Sequence, residues 1–491
     1  MDHLAKLIGS LQAEHARVMT SDPRDLQAEA QFERRVHSAL SLHPENEHLL
    51  YTLGTLYSQT DRAGAGIALL KHAIDLGLDG PDAWNNLGAA CKAEHKDASA
   101  AACYEKAIEL CEEGKRQGNV PAELINSSLS AALHGMASLY VNAGKPEKII
   151  EWADKALALD PNDRYALWNR GLGYLESGRW KEGWEAYDVA GFMSGDGFKP
   201  IERKLKTYGG LPRWNGEKGK TVICYGEQGI GDELMFASMI PDLMKDCRVI
   251  IDCDKRLEAL FKRSFPEALA VYPTSNRDAA FPWLADHQVD GYVPMGSLGR
   301  YYRPDAASFP RTPYIKADPG LVAKWRNVLG STDKLRVGIS WAGGLKKTRF
   351  DQRTIPLREW TDILSVPGIE WHSFQYHPQA AQECADVGRL LNVPIHHWGD
   401  VIADYDKTAA VLHSMDLVIS VNTSLIHLCG SLGIRTWCLT PVMCAWRYGV
   451  EGENPFYGSV EMVRQQEAGK WSPVLKAVAG ALREEAQKEA A

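Results

Sequence analysis

The chain has 491 residues, 45% of them hydrophobic and 24% charged, with a net charge of -8 at pH 7. That length exceeds one ordinary core and, at roughly 150 residues per domain, calls for two or three folding units. The negative balance supplies no positive field for a phosphate backbone or an anionic membrane surface, and no run reaches the roughly eighteen apolar residues of a membrane span, so nucleic acid and bilayer are excluded as default partners.

The first segment, MDHLAKLIGSLQAEHARV, reads as an amphipathic polar helix without an apolar leader region, which points to a cytoplasmic protein. Internal repeats follow. The pair Leu53-Gly54 recurs 34 residues on as Leu87-Gly88, each preceded by a large residue (Leu50, Trp84) and followed in a second helix by a small one (Ala73, Ala107). This pattern resembles tetratricopeptide repeats, in which small residues let paired helices approach and large ones fill the groove between them. A third unit fits Leu133, Ala137, Tyr140, Ala153, Ala156 and Pro161, and a fourth fits Gly171, Tyr174, Gly183, Tyr187 and Ala190. Phe32, Ala39 and Pro44 mark the second helix of a degenerate preceding unit, and about 15 residues are inserted near GKRQGNVPAELINSS.

From about Gly195 the texture changes to Gly, Pro and Trp punctuation, read as a linker. Short apolar runs then alternate with helical stretches. TVICYG, RVIIDC and VDGYVPM are predicted strands of one lobe; RVGISWAG, IEWHSFQ, PIHHWG, DLVISVN and TWCLTP are predicted strands of a second, which begins near residue 319. This alternation predicts parallel sheets covered by helices, with a ligand cleft at the carboxyl ends of the strands. The expected domains are 1–194 (helical repeats), 195–318 (first lobe) and 319–491 (second lobe).

Two segments carry candidate chemistry. In YGEQGIGDELMF, residues 225–236, a strand runs into a glycine-rich turn and a helix starting at about Asp232. Gly229 and Gly231, with Gln228 between strand and helix, allow close backbone approach to an anion or a sugar hydroxyl. Asp232 is equally readable as an acidic helix cap. In DLVISVNTSLIHLCGSLGIRTWCLTP, residues 416–441, a buried strand precedes Asn422, Thr423 and Ser424, which open a helix bearing His427. Hydroxyl and backbone donors at a helix start suit a pyrophosphate, and His427 lies one turn further in; alone, it is readable as a satisfied helix histidine.

Together these stretches resemble the bacterial heptosyltransferases, glycosyltransferase family 9-like enzymes of GT-B arrangement, over about residues 205–475, and specifically the tetratricopeptide-containing proteins that carry such a domain C-terminally. The resemblance implies an α-solenoid followed by two Rossmann-like lobes, with Asp232 as general base toward the acceptor hydroxyl and Thr423, Ser424 and His427 holding the donor diphosphate. WAGGLKKTRFDQRTIPL, residues 341–357, matches the segment whose basic residue neutralises the leaving phosphate, giving Lys346, Lys347, Arg349 and Arg353 as candidates beside the alternative of a solvated basic loop. SFQYHPQ falls where such enzymes meet the nucleobase, giving Phe374, Gln375 and Tyr376; Trp446 and Arg447 would line the cleft or pack the core. Where the family has Asp before the motif's Thr, this chain has Asn422, which can both donate and accept, so a heptose donor is in doubt.

Transfer needs a stabilised leaving group and a base. Each role has a residue, and no metal or other cofactor is called for beyond the nucleotide-sugar co-substrate. Asp252-Cys253-Asp254 has DxD spacing but reads as a surface turn, and the ten cysteines show no CxxC pair. The expected activity is transfer of a sugar from a nucleotide-diphosphate sugar, with inversion, to a protein or glycan acceptor presented by the repeats. The alternatives are a non-catalytic scaffold with a degenerate sugar-nucleotide fold, and a sugar-nucleotide epimerase or hydrolase.

Overall fold

The computed structural model describes residues 2–20, 25–60, 62–118, 121–141, 143–192, 205–274, 281–344, 350–449 and 451–489. These form two compact units: residues up to 174 together with 189–192, and residues 175–188 together with those from 205 onward.

The first unit is helical: α1 (Asp2–Thr20), α2 (Leu26–Leu42), α3 (Glu47–Ser58), α4 (Ala63–Asp75), α5 (Pro81–Ala93), α6 (Asp97–Gln117), α7 (Ala122–Tyr140), α8 (Pro146–Leu159) and α9 (Arg164–Glu176), which continues into the second unit. Consecutive helices pair, α3 with α4, α5 with α6 and α7 with α8. The Leu-Gly signature has a steric cause. A Cβ on Gly54 would stand 2.9 Å from the Leu70 side chain, and one on Gly88 or Gly135 would meet the Tyr104 ring at 2.7 or 2.6 Å. The inserted residues lengthen α6 to 21 residues and α7 to 19, against 13 for α4. Leu11, Phe32, Val36 and Ala39 share one buried cluster with Leu49, Leu53 and Leu56, so the degenerate first repeat is completed by α1.

The second unit opens on residues 175–188, which include the start of α10 (Trp180–Phe192). Its first sheet is β1 (Thr221–Tyr225), β2 (Arg248–Asp252), β3 (Ala270–Tyr272) and β4 (Gly291–Pro294), in the order β3-β2-β1-β4. The second is β5 (Leu335–Ser340), β6 (Ile369–Ser373), β7 (Ile395–His397), β8 (Leu417–Val421), β9 (Thr436–Thr440) and β10 (Val460–Arg464), in the order β10-β9-β8-β5-β6-β7. Every strand pair is parallel. The fully buried runs of β1, β8 and β9 are what a sheet covered on both faces requires. These are the two parallel-sheet lobes expected from the sequence. Strand order reverses between β1 and β4 in one lobe and between β5 and β8 in the other, and the carboxyl ends at such reversals form ligand crevices. Among the described residues, no helix is long and apolar enough to cross a membrane.

Three features differ from the sequence expectation. The linker is structured from residue 205: Tyr208 and Trp214 are buried, and Trp214 N–H donates to the Tyr292 carbonyl at 2.9 Å, stitching the segment to β4. Asp252 is no surface turn. It is fully buried, and its Oδ2 is held by Lys206 Nζ at 2.6 Å and the Tyr208 hydroxyl at 2.5 Å, an ion pair and a hydrogen bond that offset its burial. Helix α10 carries repeat-like residues, yet Asp188 accepts from Ser297 Oγ at 2.5 Å and pairs with Arg213 at 3.1 Å, inside the second unit.

Candidate functional site

The turn after β1 leads into α11 (Ile230–Phe236), whose N-cap is Gly229. Asp232 therefore sits inside the first turn and is not the cap. Its Oδ1 meets Arg447 Nη2 at 2.6 Å, each side chain under one-fifth exposed. Two buried carboxylates fix the turn: Glu227 accepts from Gly296 N–H at 3.1 Å and Glu233 from Asp254 N–H at 2.8 Å. Burial pushes the Glu233 carboxyl up to about 8. Gln228 donates to the Tyr187 hydroxyl and is buried.

Facing this turn is the start of α12 (Ser424–Leu432) after β8. Thr423 caps it, its hydroxyl oxygen accepting from Leu425 N–H at 3.2 Å, while Ser424 Oγ accepts from the Tyr405 hydroxyl at 3.0 Å. A Cβ on Gly231 would lie 2.9 Å from the His427 ring and 3.2 Å from Ser424 Cα, so only glycine lets the two helix starts come this close. Across the same crevice, Arg353 Nη1 donates to the Asn422 carbonyl at 3.4 Å. Burial holds the Arg353 guanidinium below the usual arginine range, and Arg447's charge acts in the same direction.

His427 is buried with both ring nitrogens engaged, Nδ1 with the Tyr457 hydroxyl at 3.0 Å and Nε2 with that of Tyr448 at 3.2 Å. Each phenol can donate or accept, so the tautomer of the neutral ring sets the direction of both bonds. Burial drives the ring down to about 3, so it is neutral at physiological pH. The role the resemblance gives His427 on the diphosphate thus finds no free ring nitrogen.

Other sequence candidates are also differently employed. Asn422 is buried, its amide oxygen accepting from Cys438 Sγ at 3.1 Å and Thr440 Oγ1 at 3.2 Å, so it faces the core rather than a sugar. Gln375 is consumed as a staple: its oxygen accepts from Ser340 Oγ and the Trp341 and Ala342 N–H groups, and its nitrogen donates to the Ala342 carbonyl. Phe374 is buried, and a Cβ on Gly338 would stand 2.8 Å from its ring. Tyr376 is exposed, its hydroxyl accepting from Gly344 N–H at 3.3 Å. Trp446 is core, edge-on to Trp184 at 5.4 Å. Lys346, Lys347 and Arg349 lie outside the described residues. Glu227, Glu233, Tyr448 and Tyr457 escaped the sequence reading. The signal for the first two was a pair of acidic residues flanking the glycine turn between a buried strand and an apolar helix.

The tetratricopeptide repeat family model matches residues 81–113 and 130–163. Those two stretches are tetratricopeptide repeats. Among curated proteins, the chain is similar to Protein FlbA of Caulobacter vibrioides, 27% identical over 474 residues that take in 90% of this chain and 73% of that one. Among solved structures, it is similar to a glycosyl transferase family 9 protein of Veillonella parvula, at 9% identity and TM-score 0.45 over 56% of this chain and 98% of the other. It is also similar to the ADP-heptose lipopolysaccharide heptosyltransferase II of E. coli, at 11% identity and TM-score 0.41 over 55% and 98%.

Proposed function

We propose that this protein is a glycosyltransferase that moves a sugar from a nucleotide-diphosphate sugar to a hydroxyl of an acceptor bound by its repeats, a protein in the first place and a surface glycan in the second. One observation carries the reading: Asp232, at the strand reversal of the first lobe, faces Arg447, Arg353 and the start of α12, at the strand reversal of the second. A carboxylate opposite a helix N-terminus and two guanidinium groups supplies a proton acceptor and an anion cradle within one crevice.

In the proposed reaction the acceptor oxygen attacks the anomeric carbon and its proton passes to the Asp232 carboxylate. The bond from that carbon to the phosphate oxygen breaks, and the nucleoside diphosphate leaves with the electron pair. Inversion follows from a single displacement. Arg353, Arg447, the α12 N–H groups and Lys346 and Lys347 would offset the leaving charge in place of a divalent metal. Asn422, engaged by Cys438 and Thr440, lends no weight to the alternative of a degenerate scaffold.

The test is thermal stabilisation by a panel of nucleoside diphosphates and their sugars, with and without EDTA. A ligand at 100 times its Kd adds about 2.7 kcal/mol. One diphosphate series should stabilise the wild type, EDTA should change nothing, and Arg353→Ala and Lys346→Ala/Lys347→Ala should lose the effect. Absence of any shift across the panel would remove the donor reading.

A further inference from the structure

Arg447 occupies the carboxylate to which the reaction assigns the acceptor's proton. A guanidinium nitrogen 2.6 Å from Asp232 Oδ1 pairs with that carboxylate and offsets its charge. The arginine's backbone has little freedom to withdraw. It lies in a short 3-10 turn, Trp446–Tyr448, with Trp446 and Tyr448 buried on either side. The turn is clamped from β10, Arg464 donating to the carbonyls of Tyr448 at 2.7 Å and Gly449 at 2.9 Å. The side chain alone can exchange partners, and its guanidinium already lies over the Trp446 ring at 5.7 Å. Its charge also acts on Arg353 and His427, which places the α12 start within its electrostatic reach.

We propose that Arg447 is a two-position switch that couples donor binding to release of the base. In the free protein it neutralises Asp232. When a diphosphate enters the cradle, the guanidinium turns to the phosphate oxygens, which offer bidentate charge-assisted bonds, and Asp232 is left open to the acceptor hydroxyl. Donor therefore binds before the acceptor can be deprotonated. The inference rests on the donor reading above and adds the identity of the residue that links the two half-sites.

The switch makes Asp232 a competitor of the diphosphate for one guanidinium, which a double-mutant cycle can isolate. ADP, UDP, GDP and inorganic pyrophosphate are titrated calorimetrically into the full-length wild type, Asp232→Asn, Arg447→Gln and the double variant, with unfolding midpoints recorded to show that all four are folded. Removing the competitor should tighten diphosphate binding about tenfold when Arg447 is present and less than about twofold when it is Gln, within the usual range of coupling between sites. If Asp232→Asn tightens binding equally in both backgrounds, the effect is plain charge repulsion and the switch is wrong while the donor reading stands. If Asp232→Asn changes nothing in either, the switch is equally wrong. If no diphosphate binds any of the four proteins, the donor reading fails and takes the switch with it.

Discussion

Two phenol oxygens fix what the ring of His427 can do. With both nitrogens bonded and the ring neutral, one phenol donates and the other accepts, and 15N shifts of labelled histidine should report a single fixed tautomer; a mixture of the two would show that the ring is not held. Its depressed titration also has a sign. The folded ring stays neutral to about 3 while the unfolded one charges near 6.5, so the stabilisation is complete above 6.5 and is lost as pH falls from there toward 3. Relative to His427→Gln, the wild-type melting temperature should therefore decline between pH 7 and 4. Glu233 behaves oppositely. Its folded carboxyl titrates near 8 against 4.5 unfolded, so its contribution is complete below 4.5 and is lost as pH rises through 8. Glu233→Gln, which retains the acceptor for Asp254 N–H, should flatten the decline in melting temperature from pH 5 to 8.5. None of this was legible in sequence. His427 was found by its place in a helix, but its two tyrosine partners come from 21 and 30 residues away, in a short 3-10 turn and the loop after it.

At the scale of elements, legibility followed periodicity. The repeat helices announce themselves through Leu-Gly pairs whose missing side chains are demanded by Leu70 and Tyr104, and the buried strands through unbroken apolar runs. Strand β3, three residues long, and β10, where Glu461 and Arg464 break the apolar run, leave no such trace. Neither did the boundary of the array, because Gly183 and Tyr187 satisfy the repeat pattern while their helix serves another core. The Asp232 turn was found for its glycines, and the reason for Gly231 is now visible in the approach of α11 to α12. Gly231→Ala should cost about 1–3 kcal/mol by overpacking. It should also weaken diphosphate stabilisation, because the two helix starts must part; unchanged ligand shifts would show that their spacing is immaterial to binding.

For the molecule as a whole, the second unit depends on residues that the sequence assigned to the first. Trp184 is buried, edge-on to Phe236 at 6.2 Å in one lobe and to Trp446 at 5.4 Å in the other, and Gly299 leaves the space for its ring. Truncating it to Ala should cost about 3–5 kcal/mol. A fragment beginning at Leu175 should unfold cooperatively, and one beginning at residue 195 should not; equal melting of the two would detach 175–188 from this core. A single indole wedged between both lobes also bears on tempo. Parting them like jaws would strip that ring on one side, so hinge opening of the two lobes, ordinarily a microsecond-to-millisecond motion, carries the cost of exposing a buried indole.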